Sequence, residues 1–154
     1  MGVKFAPSYA NLTMAYLEDT VLFPSIPSCR SYYFRFIDDI FILGDSNLFS
    51  FNCLTKTLNS LHPSIKFSFV YKFDFIHFLD ITIAKSTNYR ILLDIYYKPT
   101  NNFSFIPFNS PYQKKILKNI PYTIFSRICR IVSNEDWKDL RLNEAKQYFL
   151  KLRY

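Results

Sequence analysis

Apolar and polar positions follow two different spacings in the first 45 residues, and each spacing predicts a different element. Residues 8–19 follow Pro7 and place apolar side chains at helical spacing, whereas the proline-containing stretch 23–28 is predicted as a loop. Aromatic and β-branched runs at 32–36 and 40–43 predict two strands. Only Ile37-Asp38-Asp39 separates these strands, which is typical of a tight hairpin. The apolar face of the first helix comprises Tyr9, Leu12, Tyr16 and Leu17.

A second helix and three strands are predicted in the middle of the chain. Helical spacing over residues 48–61 ends before Pro63, which cannot continue a helix. Strand-like runs follow at 66–73, 76–84 and 90–97, with turn-forming residues between them. Helix and sheet segments are therefore mixed without regular βαβ alternation, which indicates an α+β fold.

The last third of the chain is predicted to be a loop followed by helices. Residues 99–111 are rich in Pro, Asn and Ser, and helices are predicted over 112–117, over 121–132 and from Asn134 onward. The chain thus divides into a body at 1–98, a linker loop at 99–111 and a helical segment at 112–154. The buried stripe of the last helix is predicted to contain Trp137, Leu140, Ala145, Phe149 and Leu152.

Charge is distributed unevenly along these segments. The net charge of the 154 residues is +7, of which +1 falls on residues 1–111 and +6 on residues 112–154. An excess of Lys and Arg on one segment favours a polyanionic partner, although a solvated helical face is the competing interpretation. No apolar run approaches the roughly 18 residues of a membrane span, and no secretory leader is visible. An intracellular location, nuclear or cytoplasmic, is expected, with no membrane partner.

Asp38 and Asp39 are the strongest candidates for chemistry. Adjacent carboxylates at a hairpin turn are held by the flanking strands, and Mg²⁺ usually takes one or two carboxylates from a protein. Ordinary turn chemistry explains the same pair, because Asp favours turns. Asp80 and Asp94 lie in strand-like runs, where solvation or a backbone hydrogen bond is expected rather than metal binding.

Several motifs together resemble the reverse transcriptases of Penelope-like retroelements. The motifs are Gly2-Val3-Lys4-Phe5-Ala6-Pro7, Phe36-Ile37-Asp38-Asp39-Ile40, Phe78-Leu79-Asp80, Tyr96-Tyr97-Lys98-Pro99-Thr100, and Ile120-Pro121-Tyr122 with Arg127-Ile128-Cys129-Arg130. The resemblance covers essentially the whole chain. It implies part of a polymerase palm, an antiparallel sheet with packed helices, followed by a small helical thumb or helix-turn-helix segment.

The resemblance also implies a role for each site residue. Asp38 and Asp39 would be catalytic and metal-binding carboxylates for Mg²⁺ or Mn²⁺, and a loop including Gly2, Ala6 and Pro7 would contact template and nucleotide. Lys98 would belong to the primer grip. The expected partners are an RNA template, a DNA primer and an upstream polymerase segment. The residues expected to bind nucleic acid are Lys114, Lys115, Lys118, Arg127 and Arg130.

The chain also departs from the family pattern. The first catalytic Asp of the family precedes the glycine-containing loop and has no counterpart in the sequence, and Tyr97 stands where relatives usually carry Arg. Two carboxylates on one hairpin cannot anchor two ions, so stable metal binding and activity of the isolated chain are not expected. The alternatives are a non-catalytic nucleic-acid-binding module that uses the basic helices, or the non-functional product of a degraded element.

Overall fold

The computed structural model describes residues 4–25, 33–44, 51–88 and 90–154. The chain forms two compact units, Met1–Val70 and Tyr71–Tyr154. Both contain helices and antiparallel strands, so the predicted α+β class is confirmed. Within the described ranges, none of the helices has the length and apolar character needed to cross a bilayer.

The first unit combines two helices with one hairpin. Helix α1 spans Ala6–Leu17 and continues through a π-helical segment, Glu18–Leu22, into a last helical turn at Phe23–Ser25. Strands β1 (Tyr33–Phe36) and β2 (Asp39–Ile42) pair in antiparallel register, and helix α2 spans Phe51–Ser60. The predicted hairpin and second helix are therefore present.

The core of the first unit lies where these elements meet. Leu22, Leu54, Leu58 and Leu61 are buried together, and Phe23, Tyr33, Ile42 and Phe67 pack against them. The Asn59 side chain accepts a hydrogen bond from the Phe67 N–H at 2.8 Å and donates to its carbonyl at 3.3 Å, which fixes the chain after α2. Each buried leucine contributes about 1.5–3 kcal/mol. Tyr33 and Ile42 attach the hairpin to this cluster.

The second unit packs a three-stranded sheet against two long helices. Strands β3 (Phe75–Phe78), β4 (Ile81–Lys85) and β5 (Ile91–Ile95) form an antiparallel meander in that order, followed by α3 (Lys114–Ile131) and α4 (Glu135–Lys151). The core contains Ile95, Ile128, Val132, Ala145 and Phe149. At the α3–α4 junction the Ser133 N–H donates to the Leu93 carbonyl, and the Leu93 N–H donates to Ser133 Oγ. The predicted linker 99–111 and helical segment 112–154 thus lie in the same unit as strands β3, β4 and β5.

Two of the strand predictions are wrong. Residues 66–73 form no strand, and Val70, Tyr71 and Phe73 in that run are exposed. A β-prone run needs a partner that supplies ladder hydrogen bonds, and no described strand pairs with it. The run 76–84 is a hairpin rather than one strand, since Phe78 pairs with Ile81 around a turn at Leu79 and Asp80.

The two helices predicted over 112–117 and 121–132 are one helix that contains Pro121. An interior proline costs about 3 kcal/mol through its missing N–H and its ring clash. Leu117 and Ile128 are nevertheless almost fully buried on either side, and each such burial stabilises by about 1.5–3 kcal/mol. Packing against the core therefore outweighs the break that the proline favours.

The predicted loop at 23–28 and two predicted apolar faces also need correction. Residues 23–25 form a helical turn instead of a loop. The π-helical turn before Pro24 has a widened hydrogen bond, from the Phe23 N–H to the Glu18 carbonyl, and Pro24 follows it within the helix. Residues 26–28 of the predicted loop lie outside the described residues. The face formed by Tyr9, Leu12 and Tyr16 is exposed. In α4, Leu140 is 52% exposed, since its position lies off the face that Ala145 and Phe149 bury.

Candidate active-site hairpin and nucleic-acid interface

Asp38 and Asp39 lie at the tip of the β1–β2 hairpin. Phe36 pairs with Asp39, so Ile37 and Asp38 form a two-residue turn and Asp39 is the first residue of β2. Both aspartates are exposed. Ile37 has φ 56°, a left-handed conformation that is rare for a β-branched residue. The turn therefore holds an unfavourable backbone conformation directly beside the two carboxylates.

Arg35 fastens this hairpin to helix α1. Its Nε donates to Glu18 Oε1 at 2.5 Å, and its Nη1 donates to Asn11 Oδ1 at 2.7 Å and to the Ile37 carbonyl at 3.2 Å. The side chains of Arg35 and Glu18 are only 13% and 9% exposed. The Tyr33 hydroxyl donates to the same Glu18 oxygen at 2.8 Å. A buried charge pair with these additional hydrogen bonds fixes the position of the acidic turn.

The geometry makes Arg35 a positioning residue rather than a ligand for phosphate, because its guanidinium already donates to groups on α1 and on the turn. Sequence reasoning did not single out Arg35 or Glu18. The available signal was a lone arginine inside an aromatic strand, since a charged residue at such a position is rarely buried unless it is paired; Glu18 stands beside Asp19 and gave no comparable signal.

The donor set at the hairpin fits the chemistry of a hard divalent cation but is small. Carboxylate oxygens suit Mg²⁺ and Mn²⁺, and one or two from the protein are common for Mg²⁺. Across the described parts of the chain, no three His, Cys, Asp or Glu side chains form a group that could hold a metal. Asp38 and Asp39 could thus supply ligands to one side of a single ion. A two-ion site would also need ligands from a second element of the fold.

The residues expected to form a template loop lie partly in a helix. Gly2 is outside the described residues, whereas Ala6 and Pro7 are the first two residues of α1. Proline fits the first turn of a helix because its missing N–H would have no intrahelical partner there. The loop conformation predicted for these two positions is therefore wrong, and their role toward a template stays a prediction.

Lys98 and the basic residues belong to the second unit, whereas Asp38 and Asp39 belong to the first. Lys98 is exposed after β5, in a turn closed by the Asn101 N–H and the Lys98 carbonyl at 2.8 Å. Arg127 is engaged in an exposed ion pair, in which its Nη2 lies 2.8 Å from Asp80 Oδ2. Arg130 is exposed, and its Nε donates to the Ser126 carbonyl at 3.4 Å.

Three lysines gather at the beginning of α3. Lys114, Lys115 and Lys118 are exposed, the first turn holds no acidic residue, and Gln113 provides no side-chain cap. Lys114 and Lys115 lie in the first turn, where a positive charge opposes the helix dipole and costs the helix up to about 1 kcal/mol, and Lys118 lies in the next turn. The same arrangement attracts phosphate, since the N-terminal N–H groups and the lysines present positive charge together.

Asp80 and Asp94 both form ion pairs instead of being only solvated or bound to backbone. The Asp94 carboxylate lies on β5 and accepts from Arg141 of α4, with Nη2 to Oδ2 at 2.7 Å and Nε to Oδ1 at 3.1 Å. It also accepts from the Ile95 N–H at 2.8 Å. This bidentate pair joins the sheet to α4, and sequence reasoning missed Arg141 because the partners are 47 residues apart.

Tyr97, the position at which the resemblance places an arginine, is half-buried against the edge of the Phe103 ring. Burial raises the pKa of its phenol, and this outweighs the nearby Arg127 and Arg141 charges, which lower that pKa. Tyr97 is thus an uncharged packing residue at neutral pH, and it cannot attract a primer phosphate as an arginine would.

We expect Tyr97 to contribute to a loss of stability in alkali. A phenol whose pKa is raised by folding stabilises the folded state fully below pH 10, and this contribution is lost as pH rises through the folded pKa. Tyr97→Phe should therefore show a smaller fall in the free energy of unfolding between pH 9 and about 11.5 than the wild type. Urea unfolding at both pH values measures this difference. Tyr122→Phe, at an exposed position, is the control, and equal falls in both variants would contradict the assignment.

Comparisons of the chain with protein-family models, with curated proteins and with solved structures find no match. The motifs and the geometry of the described residues are therefore the basis for a functional proposal.

Proposed function

We propose that the chain is part of the palm and thumb of a retroelement RNA-directed DNA polymerase. The observation that carries the proposal is the pair Asp38 and Asp39 at the tip of a tight hairpin, held by the buried Arg35–Glu18 pair. A polymerase needs carboxylates at a fixed position, because the metal ions they hold must align a primer hydroxyl with a nucleotide. An intracellular location, nuclear or cytoplasmic, is part of the proposal.

The three lysines at the start of α3 support a role in nucleic-acid binding. All three are exposed. Lys114 and Lys115 lie in the first turn of α3, where they do not stabilise the helix, so phosphate binding accounts for their position better than folding does, and Lys118 lies one turn further on. Their contribution would be independent of base sequence and sensitive to salt. A non-catalytic nucleic-acid-binding module is the second candidate function, and this lysine cluster favours it.

Manganese binding tests the proposed role of the hairpin. Mn²⁺ should broaden the amide NMR signals of residues 37–40 selectively, and Asp38→Asn should abolish the effect. Asp80→Asn is the matched control, because Asp80 occupies the equivalent position in the β3–β4 turn but faces Arg127. Equal broadening around Asp80, or broadening that persists in Asp38→Asn, would remove the support for a palm hairpin. The non-catalytic nucleic-acid-binding module would then be the remaining candidate function.

The 154-residue chain on its own should not extend a primer. Asp38 and Asp39 provide carboxylates from one element, and transition-state charge in phosphoryl transfer needs ions held from more than one side. A primer-extension assay with Mg²⁺ or Mn²⁺ on an RNA template measures this. Robust extension that disappears in Asp38→Asn would show that the isolated chain is a complete catalyst.

Binding to an RNA–DNA hybrid tests the role of the lysines. Replacing Lys114, Lys115 and Lys118 with Gln should reduce the slope of log affinity against log salt by about 0.9 per lysine that contacts a phosphate. The control variant replaces Lys56, Lys66 and Lys72, which are exposed residues outside α3, and changes the net charge equally. Equal losses in both variants would show that overall charge, and not this helix, is responsible.

A further inference from the structure

A cleft in the second unit is not explained by the sites described above. It measures about 330 Å³ and lies between α3, α4 and the chain around Phe108. Clefts of about 300–1,000 Å³ accommodate small organic groups. Its lining residues are Phe108, Lys118, Pro121, Phe125, Lys146, Phe149, Leu150 and Tyr154.

Aromatic rings form much of the wall, and they support one another. Tyr154 packs edge-on against Phe108 and Phe149, each at 5.3 Å between ring centroids, and Phe125 lies 5.8 Å from Phe149. The Tyr154 hydroxyl donates to the Ile106 carbonyl at 2.7 Å, and the Phe108 N–H donates to the Leu152 carbonyl at 3.1 Å. These contacts hold the rings in place before any ligand arrives, which lowers the entropy cost of binding.

Two lysines, one from each helix, complete the lining of this apolar cleft. Lys118 comes from α3 and Lys146 from α4, and both are exposed. Neither makes an ion pair with any residue that the structure describes. A ligand that combines a flat apolar group with negative charge on either side matches this arrangement.

We propose that the cleft receives one unpaired base of a single-stranded extension, with the adjacent phosphates on Lys118 and Lys146. Aromatic walls suit a base because stacking uses the π-face that every base has, and lysines beside the walls bind the backbone. Lys118 also belongs to the lysine cluster of α3, so the cleft continues the surface proposed to contact the duplex. The proposal rests on that function and adds the single-stranded ligand and Lys146.

Three forms of one RNA–DNA hybrid test the cleft by fluorescence anisotropy: blunt, with a three-nucleotide extension, and with an abasic extension of equal length. The extension with bases should bind about tenfold more tightly than the blunt hybrid, whereas the abasic extension should recover only a small part of that gain. Equal affinities of the abasic and normal extensions would overturn the cleft proposal and leave hybrid binding intact. No binding of any hybrid would overturn the proposed function itself.

Two variants locate the effect in the cleft. Leu150→Trp fills it from an exposed position, and Lys146→Gln removes one phosphate contact. Both should abolish most of the gain from the extension and leave affinity for the blunt hybrid unchanged, whereas Lys151→Gln removes the same charge from α4 outside the cleft and should change neither. Decanoate, an alkyl anion, is the comparison ligand. If the NMR signals of Leu150 shift with decanoate but not with the extended hybrid, the cleft binds alkyl anions and the proposal is contradicted.

Discussion

Arg141→Met is expected to lower the free energy of unfolding of the second unit by about 3 kcal/mol, the lower end of the cost of removing one partner of a buried ion pair. The side chains of Arg141 and Asp94 are 26% and 13% exposed, so water solvates the abandoned carboxylate poorly. Asp94 raises the pKa of the Arg141 guanidinium, which therefore stays charged over the whole pH range in which the protein is studied. Of the hydrogen bonds that the described residues make to Asp94, only that from the Ile95 N–H would remain.

Urea unfolding followed by tryptophan fluorescence measures this loss, because Trp137 packs against the core of the second unit. Arg127→Met is the control. Its partner Asp80 is 67% exposed, so loss of that pair should cost less than about 1 kcal/mol. The double variant Asp94→Leu with Arg141→Met should recover part of the stability, since it leaves no buried charge alone. Equal costs for Arg141→Met and Arg127→Met would show that the Asp94 pair is not the main link between sheet and helix.

Arg35→Met should lower the stability of the first unit by a similar amount, about 3 kcal/mol. The variant leaves the Glu18 carboxylate buried with only the Tyr33 hydroxyl as a described donor, and it releases Asn11 and the Ile37 carbonyl. Because those groups belong to α1 and to the acidic turn, the described polar attachments of the hairpin to the helix are reduced to the Tyr33–Glu18 hydrogen bond, beside its contacts with the leucine cluster.

Tyr33→Phe supplies the comparison for this prediction. It removes one hydrogen bond to Glu18 and keeps the ion pair, so it should cost about 1 kcal/mol. Denaturant unfolding gives both values, and hydrogen exchange of the β1 and β2 amides should accelerate far more in Arg35→Met. If the two variants have equal effects, the packing of apolar side chains, rather than Arg35, positions the turn.

The sequence predicted the elements that have a strong local signal. The β1–β2 hairpin follows from two aromatic runs around Asp38 and Asp39, and α4 follows from the spacing of apolar residues after Asn134. The structure adds that the Asn134 side chain caps α4 by accepting from the Trp137 N–H. The β3–β4 turn escaped prediction because Leu79 adopts φ 53° where a glycine or asparagine would normally signal the turn. Its sequence Phe78-Leu79-Asp80 nevertheless matches Phe36-Ile37-Asp38 of the first hairpin in residue type, and this was the available clue.

The candidate site was predictable in its chemistry but not in its supports. Asp38, Asp39 and the lysines of α3 carry local patterns, namely a carboxylate pair in a turn and a run of cations without acids. Arg35 and Arg141 depend on partners 17 and 47 residues away, and no periodicity connects residues at such separations. Pairing of this kind follows from the tertiary arrangement, in which a buried charge must find its opposite.

The double tie between β5 and the helices has a mechanical consequence. Leu93 is hydrogen-bonded to Ser133 and the adjacent Asp94 is paired with Arg141, so we expect the sheet, the α3–α4 junction and α4 to open together. The lysines lie at the beginning of α3, the helix whose C-terminal end is joined to β5 by the Ser133 bonds. For the proposed function, this means that the helix that carries the lysines is attached to the sheet and to α4 while it contacts nucleic acid.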